Sequence, residues 1–360
     1  MPEPRHPVEP GHPVEPGRLV DRDPQVSPAD LLAELVPPPR FDSVRFETYL
    51  PAPDQPTQAA AVAGLRAFAA RLADPAGPGG GRWFRRRRPA PPEGREGVYL
   101  DGGFGVGKTH LLASLWHAVP GQRAYGTFVG YTHLVGALGF AATVEALSAY
   151  RLVCIDEFEL DDPGDTVLMS SLLNRLVEQG VALAASSNTL PDRLGEGRFA
   201  AEDFLREIQG LAAHFDVLRV DGDDYRHRGL PAPPPPVDDE ALLVHARTSR
   251  GSTLDDADAL TAHLALVHPS RYGALVDDVD VVHLRGVRPL TDQADALRWV
   301  VLADRLYDRD VPVVASGVPL DRLFAEEMLR GGYRKKYFRA VSRLSALARE
   351  GSGLVARGEG

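Results

Sequence analysis

The chain has 360 residues, with 40 Lys and Arg against 50 Asp and Glu, a formal net charge of −10. That length holds two domains or one large one, and the acidic balance excludes a protein that coats nucleic acid through bulk charge. No run reaches the ~18–20 apolar residues of a membrane helix, the start lacks a basic n-region and an apolar h-region, and the single cysteine, Cys154, excludes intrachain disulfides and cysteine-built zinc sites, so a reduced, cytoplasmic protein is expected.

Residues 6–11 (HPVEPG) repeat as 12–17, and six prolines fall within the first 17 residues. Such composition cannot offset the entropy of ordering, so residues 1 to about 28 are expected to be a disordered Pro-rich tail. Ser27-Pro28-Ala29-Asp30 reads as a helix start, Ser at the N-cap and Pro in the first turn. Gln55 to Ala73 places Val62, Leu65, Phe68, Ala69 and Leu72 at helical spacing. Residues 74–96 break structure with Gly79-Gly80-Gly81 and carry Arg82-Trp83-Phe84-Arg85-Arg86-Arg87-Arg88. That stretch is open to two readings: a patch for nucleic acid, lipid or a partner, or an exposed loop.

From 97 to 221 strands and helices alternate. Strands are expected at Val98 to Leu100, Ala124 to Val129, Leu152 to Ile155, Val181 to Ala185 and Val217 to Val220. Helices are expected at Lys108 to His117, Tyr131 to Phe140, Val144 to Tyr150, Asp165 to Gln179 and Glu202 to His214. Such alternation means a parallel sheet covered by helices on both faces. The prolines of Leu230 to Pro236 can continue neither a helix nor a central strand. The domains are therefore expected as 29–228, a linker at 229–237, a C-terminal αβ domain over 238–350 and a flexible tail at 351–360. An internal echo links Asp165, Asn174, Arg175, Leu176, Val181, Ala185 and Ser186 to Asp295, Asp304, Arg305, Leu306, Val311, Ala315 and Ser316. It is open to two readings: a second nucleotide-fold half lacking a phosphate loop, or the common look of any helix-then-strand unit.

Gly102-Gly103-Phe104-Gly105-Val106-Gly107-Lys108-Thr109 fits G-x-x-x-x-G-K-[ST], after a strand and opening a helix. Glycines let consecutive N–H groups wrap phosphates, the helix N-terminus favours anions, Lys108 can reach the β- and γ-phosphates, and Thr109 can ligate Mg²⁺. Asp156 and Glu157 end an apolar strand: Asp156 can hold Mg²⁺ through water, and Glu157 can act as general base. Asn188, at the tip of the next apolar strand, can orient the attacking water; a turn-forming Asn is the other reading.

This order of motifs resembles the AAA+ ATPases. Asp156-Glu157-Phe158 with Asp162 and Asp165, Ala185-Ser186-Ser187-Asn188, and Asp224-Tyr225-Arg226 are similar, more closely, to the ZapE/AFG1-like family. So are Leu297-Arg298-Trp299-Val300 with Asp304-Arg305-Leu306-Tyr307-Asp308, and Phe338-Arg339 with Ser342-Arg343-Leu344. The resemblance spans about residues 41–348. It implies a P-loop NTPase sheet of order 5-1-4-3-2 with a C-terminal αβ domain, ATP and Mg²⁺ as ligands, and a protein partner in the division ring, its FtsZ polymer. It also implies a possible homo-oligomer with an arginine donated between copies. The family's arginine position is Ala201 here, which leaves Arg206, Arg198 and Arg226 as candidate fingers or sensors, each also readable as an ordinary surface charge. No N-K-x-D segment reads guanine, and ATP rests on the resemblance. Two other functions stay open: a nucleic-acid-directed AAA+ loader, supported by residues 82–88 alone, and a nucleotide-gated scaffold with little turnover, against which Glu157 argues.

Overall fold

Five short, mostly apolar runs form one parallel sheet: β1 (Gly97–Asp101), β2 (Arg123–Thr127), β3 (Leu152–Asp156), β4 (Ala182–Ser187) and β5 (Phe215–Arg219). In this computed structural model their order is β2-β3-β4-β1-β5, which read from the other edge is 5-1-4-3-2. β3 and β4 are buried at every residue, which is why each reads as an apolar run without alternation up to its polar end, Asp156 in β3 and Ser186-Ser187 in β4. The structure describes residues 15–73, 96–103, 105–158, 163–190, 209–210, 212–222 and 233–358. Residues 1–14, the arginine stretch 82–88 and most of the helix expected over Glu202 to His214 lie outside these.

The chain divides into two units, Ser27–Leu230 and, separately, Met1–Val26 with Pro231–Gly360. In the first, the sheet is flanked by α1 (Pro28–Ala33), α2 (Pro56–Ala73), α3 (Lys108–Ala118), α4 (Phe128–Leu138), α5 (Phe140–Leu147) and α6 (Pro163–Glu178). Ser27 and Asp30 form a reciprocal capping box at α1, satisfying two N–H groups the helix cannot. Leu65 and Phe68 of α2 and Leu111, Leu112 and Leu115 of α3 pack on Leu100, Cys154 and Ala184. Each such buried side chain contributes about 1.5–3 kcal/mol. β2 ends earlier than its apolar run suggested. The Thr127 hydroxyl accepts the Gly130 N–H, so Phe128 and Val129 enter α4, because a good N-cap outweighs their β-propensity.

The second unit has a three-stranded parallel sheet, β6 (Ser252–Asp256), β7 (Val281–Val287) and β8 (Val313–Gly317), in that order. Its helices are α7 (Asp239–Thr248), α8 (Ala257–Leu266), α9 (Gln293–Asp308) and α10 (Arg334–Gly358). Trp299, Leu284, Val313, Tyr337 and Leu344 share its core.

Two expectations are corrected here. The Pro-rich tail does not run to residue 28. Gly17 pairs with Thr253 at the edge of β6, and Leu19 is fully buried in the core. The N–H groups of Leu19 and Val20 donate to the Asp255 carboxylate at 3.0 and 3.1 Å. Arg22 donates to the carbonyls of Leu275 and Asp277, each at 2.8 Å. Composition misleads because proline and glycine dominate it, whereas one leucine, an open strand edge and a buried carboxylate suffice to order the segment. The flexible tail expected at 351–360 is likewise helical to Gly358, and Leu354 and Val355 pack against Leu242, Val281 and Val314.

The internal echo has a structural counterpart. β2 pairs with β3 from Arg123–Leu152 to Thr127–Asp156, and β6 pairs with β7 from Ser252–Val281 to Asp256–Arg285. Val153 faces Leu183 between β3 and β4, and Val282 faces Val313 between β7 and β8. Thr127 caps α4, and Asp256 in the matching place caps α8. The three-stranded sheet repeats the register of the β2-β3-β4 half of the larger one up to Leu284–Ala315, after which β7 and β8 shift register to pair Val287 with Gly317.

Candidate nucleotide site

β1 delivers the chain at Asp101 into the glycine loop, which ends where α3 begins at Lys108. Two glycines are dictated by space. A Cβ on Gly102 would lie 2.2 Å from the Val220 carbonyl oxygen at the end of β5. Gly107 has φ +89°, and its Cβ would lie 2.6 Å from the Tyr49 ring. Gly103, Gly105, Val106 and Gly107 thus wind tightly onto the N-terminus of α3, whose dipole favours an anion; Phe104 lies outside the described residues. Thr109 is half-buried in the first turn of α3.

Lys108 is 9% exposed. Its ammonium donates to the carbonyls of Gly102 at 2.7 Å and Gly103 at 2.5 Å, and to Asn188 Oδ1 at 2.8 Å. The side chain therefore folds back over the loop, toward the end of β4. The structure brings the Asn188 amide to the loop lysine.

On the next strand, Asp156 is 5% exposed. Tyr125 donates to its Oδ2 at 3.0 Å, Ser186 donates to its Oδ1, and the Glu157 N–H reaches Oδ1 at 3.1 Å. A carboxylate offers about four lone-pair sites. Among the described residues both sites of Oδ1 have protein donors, so Oδ2 carries the capacity left for a metal's water shell. Glu157 follows with φ +55°, left-handed for a residue with a side chain. Strain of that kind persists only where the surroundings hold it.

Three supporting residues, Tyr49, Gln58 and Tyr125, gave no signal in the sequence. Tyr49 donates to the Val106 carbonyl at 2.9 Å and packs edge-on against His110, clamping the loop from outside. Gln58 accepts the Ala52 N–H and donates to the Asp221 carbonyl, both at 2.8 Å, tying the segment before α2 to the end of β5. Tyr125 and Ser186 orient Asp156. Ser186 stood within the Ala185-Ser186-Ser187-Asn188 stretch, which did not single out its hydroxyl. Arg198, Arg206 and Arg226 lie outside the described residues.

In the second unit the two C-terminal signatures meet. Arg339 donates to Asp304 at 2.8 Å, and Arg343 donates to the other oxygen of the same carboxylate. Burial opposes ionisation of Asp304, but the two guanidiniums hold its carboxyl below the usual range.

A glycine cradle, an ammonium, a hydroxyl and a carboxylate with acceptor capacity left on Oδ2 form a set that fits a polyphosphate with a hard divalent cation. On a parallel sheet of this order, the set defines a P-loop nucleotide hydrolase. The chain belongs to the AFG1-like ATPase family, whose model matches residues 25–241 and 232–352, and it is a nucleotide-binding ATPase. It is 27% identical to the Escherichia coli cell division protein ZapE over 297 residues, covering 71% of this chain and 78% of that protein. It is 25% identical to zebrafish (Danio rerio) lactation elevated protein 1 homolog B over 166 residues, 40% of this chain and 32% of that protein. Among solved structures it is similar to domain III of Thermotoga maritima replication initiation protein DnaA, with a TM-score of 0.37 and 17% identity over 58% of this chain and 73% of that one.

Proposed function

We propose that this ATPase is Mg²⁺-dependent and couples hydrolysis to remodelling or regulating a protein partner in cell division, with FtsZ of the division ring as the first candidate. The partner rests on the similarity to the division protein ZapE. The chemistry rests on one observation: Lys108 and Asn188 are hydrogen-bonded at the same sheet end where Ser186 joins Asp156 and Glu157.

In this reading the loop N–H groups and Lys108 bind the triphosphate, and Asn188 orients the water that attacks the γ-phosphorus. Glu157 takes that water's proton. Thr109 and Asp156 would hold Mg²⁺, the latter through water, and the bound ion would neutralise charge on the phosphate oxygens. Arg206, Arg198 and Arg226 are the candidates for a cation donated by a neighbouring copy, which makes specific activity rise with protein concentration.

Glu157→Gln tests the reading. Removing the base lowers turnover about 10²–10⁴-fold, while the residues that bind the nucleotide remain. A variant that keeps more than about a tenth of the wild-type rate removes Glu157 from the base role.

A further inference from the structure

We propose that Ser186 is a positioning residue for hydrolysis, fixing the direction of Glu157 and acting through that carboxylate. The inference rests on the reading of Glu157 as the base.

Ser186 sits one residue from the end of β4 and is 1% exposed. Its hydroxyl donates to Asp156 Oδ1 and accepts the Glu157 N–H at 3.3 Å. Its carbonyl accepts the Phe158 N–H at 2.7 Å. Phe158 is itself buried, with its ring edge-on to Phe128 at 5.1 Å and to Tyr99 at 6.3 Å. One residue of β4 therefore grips the chain on both sides of Glu157, across the very turn where φ is +55°. An L-residue leaves that region unless its neighbours hold it. Two residues further on, Asn188 meets Lys108, so the same strand end carries both the phosphate side and the water side of the site.

The second unit shows the same clamp without the demand. Ser316 stands in the matching place on β8. Its hydroxyl accepts the Gly286 N–H at 3.0 Å and donates to Asp239 at 2.5 Å. The residue held there has φ +68° and is a glycine, which adopts that angle freely. In the ATPase unit the held residue is a glutamate, which does not. Without the hydroxyl, Glu157 keeps Asp156 Oδ1 as an acceptor but loses its link to β4. Its carboxylate then samples directions away from the attacking water.

The test is a double-mutant cycle in the full chain: Ser186→Ala, Glu157→Gln and the pair. Steady-state kcat and KM for ATP are measured, with affinity for a non-hydrolysable ATP analogue by calorimetry. Ser186→Ala is expected to lower kcat about tenfold to a hundredfold, the scale of a lost hydrogen bond at a reacting group, with analogue affinity within about threefold. Ser186→Thr, which keeps the hydroxyl, recovers turnover. In the Glu157→Gln background Ser186→Ala costs less than about twofold, because residues acting as one unit are not additive. A folded Ser186→Ala with unchanged kcat overturns the proposal, as does a full loss repeated in the Glu157→Gln background. If the alanine variant does not fold, Ser186→Cys carries the test: kcat must fall with analogue affinity intact. An active Glu157→Gln would instead overturn the base assignment on which the inference stands.

Discussion

Leu19→Ala should selectively destabilise the three-stranded unit, although Leu19 lies only two residues beyond a proline-glycine repeat. The side chain has no exposed surface and lies in one core with Leu260, Tyr272 and Val282. Truncating a fully buried leucine costs about 2–5 kcal/mol, part transfer and part residual cavity. Here collapse into the cavity is restrained. The flanking N–H groups are fixed to Asp255, which is 1% exposed, and Gly17 is bonded into the β6 edge on both sides. A value near 3 kcal/mol corresponds to a drop of roughly 6–12 °C for a unit of about 150 residues. Differential scanning calorimetry of the full chain reads it. Added nucleotide raises only the transition of the ATPase unit by mass action, which assigns the two transitions. Leu19→Ala should lower the other one. If both transitions stay within a degree or two of wild type, or if deleting residues 1–26 leaves them unchanged, the N-terminal segment is not part of that core.

Three further outcomes follow from the same geometry. Lys108→Ala should weaken ATP binding at least about 30-fold in calorimetry, because it removes the cation proposed to bind the phosphates; near-normal affinity would take the loop out of the mechanism. Asp304→Ala should cost about 1–3 kcal/mol in urea unfolding, since the partly buried Arg339 and Arg343 both lose its carboxylate; a loss under about 0.5 kcal/mol would mean that water replaces it. His283 has no exposed surface, its Nδ1–H donates to the Thr253 carbonyl, and its other ring nitrogen lies 2.8 Å from His245 Nδ1. Burial pushes its pKa down to about 4. The unfolded chain therefore binds a proton that the folded unit refuses. Stability is full above about pH 6.5 and falls by roughly 3 kcal/mol as the pH drops toward 4. His283→Asn should flatten that slope in urea titrations between pH 4 and 7, and an unchanged slope would assign it to other groups.

The placement of the glycine loop, the Asp156-Glu157 strand end and Asn188 was legible in the sequence because each is a local pattern: a spacing of glycines, or an apolar run with a polar end. The alternation of strands and helices was legible for the same reason, since a strand buried on both faces shows an apolar run rather than an alternation. The glycines at 102 and 107 answer to spacing alone in the sequence. The backbone of Val220 and the ring of Tyr49 that make them obligatory come from segments far away in the chain.

What only the tertiary structure decided depends on partners distant in sequence. A buried carboxylate, Asp255, waits for the N–H groups of Leu19 and Val20 across more than two hundred residues, so composition read an ordered segment as a tail. Asp304 met Arg339 and Arg343 only once α9 and α10 had packed. Ser186 looked like one small polar residue among several, and its position between Asp156, Glu157 and Phe158 exists only when β3 and β4 lie side by side. Local periodicity sets which segments become strands and helices. Hydrogen-bonding groups with no local partner are satisfied across the sheet, and no spacing within one segment records which distant residue will meet them.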